Sequence, residues 1–435
     1  MPEERKTAPW RYAMGTLGGS LPFNMFTTFT AFYYVNMLNL DMRIFASVMF
    51  FYSLFDAIDN PLYGYLSDRT RSRWGRRKPW LLVASTVFGL SFIAFFSPPA
   101  FLQERGLIAY FVIMMILVET SMSAIQSNYN ALLPDLFRDK GPRTKANTLR
   151  TLWMLIATVI GVALVPIITD AIGFPNTALI FGAISLSAWY FVISGCRESR
   201  DFEQYEHPKL FKSIKEIATG KRFWIVAIVA CLYSAAQMLM MAGIPFFVEY
   251  SLGLGAGETT IMLGVVIGLA ILSLPVWFMG IKRFTLVPMW RLALAILTVA
   301  FVPMFFASTL LVAVIGGVFI GIGTGGVMST QDLVVAGLLD EDKEKYGQRR
   351  EGIYQSIIGF FVRLSGLIRS LAFFLVFIIF GFESGDNPGN NPDGASRFLL
   401  IIVPITMMVG GVVVSSFLRK SSDEVKPQEV PACDI

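Results

Sequence analysis

Apolar and polar positions alternate in long blocks along this chain. Apolar runs fall near 12–35, 44–66, 80–98, 106–133, 150–170, 176–195, 223–248, 257–280, 287–307, 309–338, 353–382 and 398–418. Crossing the hydrocarbon core takes ~20 apolar residues in a helix, and each run is about that long. The stretch 287–338, at about fifty residues, is too long for one crossing. It divides at Ala307–Ser308–Thr309. The pattern predicts an all-α polytopic membrane protein with twelve transmembrane helices. Composition agrees: 54% of the 435 residues are hydrophobic, only 15% are charged, and 38 are Phe. A soluble chain carries more charge than that, so the surplus apolar surface is expected to face lipid.

Charge position sets the orientation. With the N-terminus inside, 31 of the 36 Lys and Arg fall on the inner side. The outer loops receive only Arg43, Arg105 and Arg397, and Arg363 and Arg369 lie within the eleventh span. Cytoplasmic loops carry the Lys and Arg excess, so both termini are expected in the cytoplasm. The net charge of +5 adds little beyond this asymmetry. The basic stretch 196–222 divides the chain into six-helix halves, 1–195 and 223–418, as in transporters built from repeats. The tail 419–435, polar with Pro427 and Pro431, reads as disordered. Met1–Lys6 is charged and leads into a long apolar run, which is expected to be a retained first span rather than a cleaved signal.

Cys196, Cys231 and Cys433 have neither metal spacing nor a disulfide pattern, and His207 lies alone in a polar loop. Embedded hydrolases and transferases need a nucleophile and a matching base. The expectation is therefore no enzyme, no cofactor, no nucleic acid and no obligate protein partner. The expected partners are a small-molecule substrate and the lipid bilayer.

The densest motif lies between spans two and three, from Gly64 through Asp68, Arg69, Arg71, Arg73, Gly75, Arg76, Arg77 and Lys78 to Pro79. A positive inner loop explains its charge but not Gly64, Asp68 and Gly75 together. It resembles the loop signature of the major facilitator superfamily. Asp56-Ala-Ile-Asp59-Asn60-Pro61-Leu-Tyr-Gly64, then Thr70 to Trp80, resembles the glycoside–pentoside–hexuronide:cation symporters, the melibiose permease family. Asn130 to Pro134, Arg150, Arg363 and Asp340 to Glu351 add weaker matches.

The resemblance implies a major facilitator fold of two six-helix halves in a bacterial plasma membrane. It implies alternating-access symport of a sugar or glycoside, coupled to Na+ or H+. It makes Gly64, Asp68, Arg69, Gly75, Arg76 and Arg77 gating residues.

Polar positions inside the spans are the candidate site. Asp56, Asp59 and Asn60 sit at i, i+3 and i+4, on one helix face; two carboxylates within a turn repel each other and attract a cation. Glu119, Ser123, Gln126 and Asn130 form a stripe in span four, and Gly19, Ser20, Asn24 and Thr27 form one in span one. Such stripes face a cavity or another helix rather than lipid. Span ten carries Met328, Gln331 and Asp332, and span eleven Gln355, Arg363 and Arg369.

By resemblance, Asp56, Asp59, Asn60 and Gln126 take the cation, with Asp56 the ligand of any Na+. Ser20, Asn24, Asn130, Arg150, Met328, Gln331, Asp332 and Arg363 take the substrate. Arg363 and Asp332 are expected to pair. Gly317, Gly321 and Gly325, four apart in span ten, suit close helix packing.

Departures from the family pattern keep other readings open. One cation carboxylate is replaced by Asn60, with an acid displaced to Asp59, and the helix-four acid by Gln126. The helix-one sugar aspartate falls on Ser20, and two sugar-stacking tryptophans fall on Asn130 and Met328. A carrier of a lysolipid, amphiphile or drug, an uncoupled facilitator and a non-transporting sensor therefore stay as alternatives.

Overall fold

The computed structural model describes residues 7–70, 72, 75, 77–137, 139–196, 216–346 and 351–418. Among them every regular element is helical. In chain order these are α1 Pro9–Ala31, α2 Met42–Arg69, α3 Lys78–Phe95, α4 Glu104–Leu136, α5 Lys140–Thr158 and α6 Val165–Gly195. Then follow α7 Lys221–Tyr250, α8 Ala256–Phe284, α9 Leu286–Phe305, α10 Leu310–Tyr346, α11 Glu351–Phe380, α12 Pro392–Arg397 and α13 Val403–Ser416. The π-helical turn Phe398–Ile402 joins α12 to α13 as one apolar stretch, Pro392–Ser416.

Among the described residues, 10 helices are long and apolar enough to cross a membrane. α1 and α2 fall outside that set. Gly15, Gly18, Gly19, Ser20, Asn24 and four threonines dilute α1, and Asp56 and Asp59 dilute α2. Both are still 23 and 28 residues long, which at ~1.5 Å per residue spans the hydrocarbon core.

Two boundaries follow the hydropathy closely. α9 ends at Phe305 and α10 begins at Leu310, on either side of the Ala307–Thr309 break. The turn between the fifth and sixth spans is Gly173, whose φ of 81° interrupts the helix inside α6. A residue with a Cβ resists that conformation. Other ends differ from the expectation. α5 starts at Lys140, ten residues before the apolar run, and α10 continues to Tyr346. Hydropathy registers where a helix leaves the hydrocarbon, not where its hydrogen bonding stops.

The chain forms two compact units. The first combines Met1–Tyr205, Met241–Gly264 and Gly366–Ser396; the second combines Glu206–Met240, Val265–Ser365 and Arg397–Ile435. In the first, α1 packs on α5 and α6, α3 on α4 and α6, and α2 on α4. Its core is aromatic: Phe26, Tyr34 and Phe111 each pack at 4.6–6.1 Å on Phe95 or on one another.

In the second unit α9 lies along α10 and α13. The glycine stripe of α10 meets α8 backbone. A Cβ on Gly321 would lie 2.6 Å from the Val266 carbonyl oxygen, and one on Gly325 would strike Ala270 and Ser273. Helix contact of that kind needs small residues, as the spacing predicted.

Candidate functional site

The acidic face of α2 meets α4 and α11 inside the first unit. The half-buried Asp56 carboxylate accepts long hydrogen bonds of 3.4 Å from the Tyr52 hydroxyl and from the Ser123 hydroxyl of α4. Gln126, one turn further along α4, is also half-buried.

α11 approaches the same turn of α2. A Cβ on Gly366 would come within 2.6 Å of Ser53 Oγ, and Phe373 packs edge-on to Phe45 at 5.4 Å. Those two contacts make α2 and α11 antiparallel. Side chains lean toward the N-terminus of their own helix, so Arg369 and Asp56 converge. The charges acting on Arg369 are those of Glu119, then Asp56.

A guanidinium on which two carboxylate charges act was not expected there. Arg363 was the basic residue singled out on this helix, and neighbours across three helices cannot be read from one sequence. The side chains of Asp59 and Asn60 lie outside the described residues; the helix places both positions on the Asp56 face.

A second cluster joins α1, α4 and α5. The Tyr12 hydroxyl donates to the Tyr129 carbonyl at 2.7 Å, and the Tyr129 hydroxyl donates to the Tyr12 carbonyl at 2.6 Å. The rings stack at 4.5 Å. Arg150 lies over Tyr129 at 4.8 Å and donates from Nη2 to Asn130 Oδ1 at 2.7 Å. The fold thus brings Asn130 and Arg150 together. Further along α1, Asn24 donates to the Thr158 hydroxyl of α5 at 3.2 Å, and Ser20 is half-buried on the same face.

The second unit holds the other candidates. Gln331 is buried and accepts from Trp290 Nε1 at 2.9 Å. Met328 and Asp332 are exposed. Asp332 lies near Tyr233 of α7, where its charge acts. Among the described residues no ion pair joins Asp332 to Arg363, so the expected pair is not made. Trp290 and Tyr12 carried no motif that could have announced them.

The motif loop is described in part. Gly75 has φ 104°, a turn conformation that glycine adopts without a Cβ penalty. Arg77 is buried. Trp80 Nε1 donates to the Thr70 hydroxyl at 2.8 Å, and Lys78 Nζ to the Cys196 carbonyl at the end of α6 at 2.6 Å. Arg76 and the side chains at Gly64, Asp68 and Arg69 lie outside the described residues.

The sequence matches the family described as MFS/sugar transport protein over residues 11–420. The chain is a member of the glycoside–pentoside–hexuronide:cation symporter family of the major facilitator superfamily. This symporter-family chain is 22% identical to the isoprimeverose transporter of Lactiplantibacillus pentosus, over 98% of this chain and 91% of that one. It is also 22% identical to the sodium-dependent lysophosphatidylcholine symporter 1 of Gallus gallus, over 96% of this chain and 87% of that one. The nucleoside transporter NupG shares the major facilitator fold. The TM-score is 0.69 at 13% identity, covering 95% of this chain and 99% of that one. The family consists of membrane transporters, so this member is a multi-pass membrane protein acting on a small molecule.

Proposed function

We propose that this protein is a secondary active transporter that couples the entry of Na+ or H+ to symport of a sugar or glycoside. The observation that carries the proposal is the half-buried Asp56 carboxylate, hydrogen-bonded to α4 through Ser123, whose charge acts with that of Glu119 on Arg369. Ionised groups inside a membrane protein are costly, ~2.5–3.5 kcal/mol or more at the bilayer centre, and mark ion pathways. Among the described groups here, the charges of two carboxylates act on one guanidinium. A bound Na+ or a proton cancels the remaining negative charge. That neutral state is the one able to pass through closure around a substrate.

Asn130 held by Arg150, with Ser20 and Asn24, supplies donors and acceptors suited to hydroxyl groups in the first unit. Gln331, Asp332 and Arg363 are the candidates in the second. Both termini are cytoplasmic in this reading, and the membrane is a bacterial plasma membrane. The isoprimeverose transporter among the relatives supports a glycoside.

A second substrate class has its own support. Met328 is exposed where the family's sugar-binding tryptophan is expected, and a lysophosphatidylcholine symporter is among the relatives. An amphiphile is the alternative cargo.

The coupling claim is tested by Asp56→Asn in proteoliposomes loaded for uptake of isoprimeverose. Accumulation driven by a Na+ or H+ gradient is expected to vanish while equilibrium exchange partly survives. Undiminished accumulation would remove Asp56 from the coupling site.

A further inference from the structure

Far from the carboxylates, the segment between α1 and α2 is tied to two segments from the other end of the sequence, all inside the first unit. The Asn36 amide donates to Glu249 Oε2 at 2.8 Å and accepts from the Tyr250 hydroxyl, so one side chain engages the last two residues of α7. Asn39, at φ 55°, donates to Asp386 Oδ2 at 2.7 Å and accepts from the Asp386 amide at 2.8 Å.

Backbone joins backbone beside them. The Gly385 amide donates to the Val35 carbonyl at 3.0 Å, and the Met42 amide to the Glu383 carbonyl at 2.8 Å. Gly385 lies so close that a Cβ there would strike the Asn36 carbonyl oxygen. Beneath this polar rim is a layer of rings: Phe32 on Phe246 at 5.5 Å, Phe246 on Phe382 at 6.1 Å, and Phe382 on Tyr250 at 5.3 Å.

We infer that this cluster is a latch that shuts one entrance of the transporter, with Asn36 and Gly385 its central residues. Its partners come from opposite six-helix halves of the sequence. Alternating access moves one half against the other, so these are bonds that must break in each cycle. Basic-residue placement puts this end on the outer side. Asn39, Glu249 and Asp386 are exposed, so they can exchange protein partners for water at little cost, while Asn36 and Tyr250 are half-buried. The ring layer beneath re-forms whenever they reseat. The latch rests on the transporter reading but on neither the substrate nor the ion.

The test uses a cysteine at Thr27, on the polar face of α1, in a background freed of the native cysteines. A membrane-impermeant maleimide is applied to whole cells and to inverted membrane vesicles. With the latch intact, labelling is expected to be slow from outside and faster from inside. Gly385→Val should raise the outside rate about tenfold, the change that ~1.4 kcal/mol makes in an equilibrium, and lower the inside rate. Asn36→Asp, which sets a carboxylate against Glu249 without altering backbone packing, should shift both rates the same way.

Unchanged rates in both variants would overturn the latch. So would a rise from both sides, which signals a loosened fold rather than a shifted one. Labelling needs no substrate and no ion, so failure here leaves the coupling role of Asp56 standing, and failure of Asp56→Asn leaves the latch standing.

Discussion

Arg369 decides how the acidic face of α2 behaves. A carboxylate in the membrane interior needs a partner, and Asp56 has hydroxyls from Tyr52 and Ser123 together with the nearby guanidinium. In the proposed coupling, Arg369 is a cation that cannot leave, so a mobile cation would meet a site already half neutralised. Taking away a charge that offsets nearby carboxylates is destabilising inside a membrane protein, and in the proposed coupling a bound ion recovers part of the loss. Arg369→Gln is therefore expected to lower the melting temperature without sodium and to enlarge the stabilisation that sodium gives. Arg369→Lys should change both less. A sodium response identical to the parent's would separate Arg369 from the cation site.

The sequence showed Asp56, Glu119 and Arg369 as polar positions on three spans but not as neighbours, because helix adjacency is a property of the packed structure. Arg150 and Asn130 were legible as a pair of candidates, and the fold joins them directly.

At the scale of elements, a side-chain cap marks the start of α2. Asp41 caps α2, accepting from the Arg43 amide at 2.7 Å while its carboxylate pairs with the Arg43 guanidinium. Partial burial raises the Asp41 carboxyl, but the hydrogen bonds and charge of Arg43 outweigh it and hold the group below its ordinary value. Its contribution is thus present above the usual carboxylate range of ~4 and is lost as pH falls through the lowered value. Asp41→Ala is expected to cost ~0.5–2 kcal/mol at neutral pH, with the difference from the parent shrinking in acid. Melting curves at several pH values check it; a difference independent of pH would assign the effect to packing.

The spans were legible because lipid demands long apolar runs. The break at 307–309 followed from run length, and the turn at Gly173 falls in the gap between the runs 150–170 and 176–195. The polar first turns of α5 and the inner end of α10 were not legible, since they are helical where hydropathy falls. The segments around Asn36 and Gly385 are short, polar and without periodicity, and nothing in them announces a partner more than two hundred residues away in sequence.

For the whole molecule, the topology and the coupling cycle are linked. The proposed orientation, with both termini cytoplasmic, would put the Gly64–Pro79 motif on the inner face and the Asn36–Gly385 cluster on the outer. Single cysteines at Arg105 and at Lys420 give the check: impermeant maleimide on whole cells should label the first and not the second. The reverse pattern would invert the molecule and with it the direction of coupling. The second unit, with Gln331 seated on Trp290 and α10 packed on α8 through its glycines, holds the other candidate groups for the cargo.

Coupling is the central claim, and the most direct measurement is the melting temperature of the detergent-purified protein. It is taken with glycosides, pentosides, hexuronides and lysolipids, each with and without sodium. A ligand that binds only the folded state raises that temperature by mass action. The account predicts that a glycoside raises it, that a coupling cation enlarges the rise, and that Asp56→Asn abolishes the enlargement. Stabilisation by a lysolipid alone, indifferent to sodium, to pH and to Asp56, would contradict it.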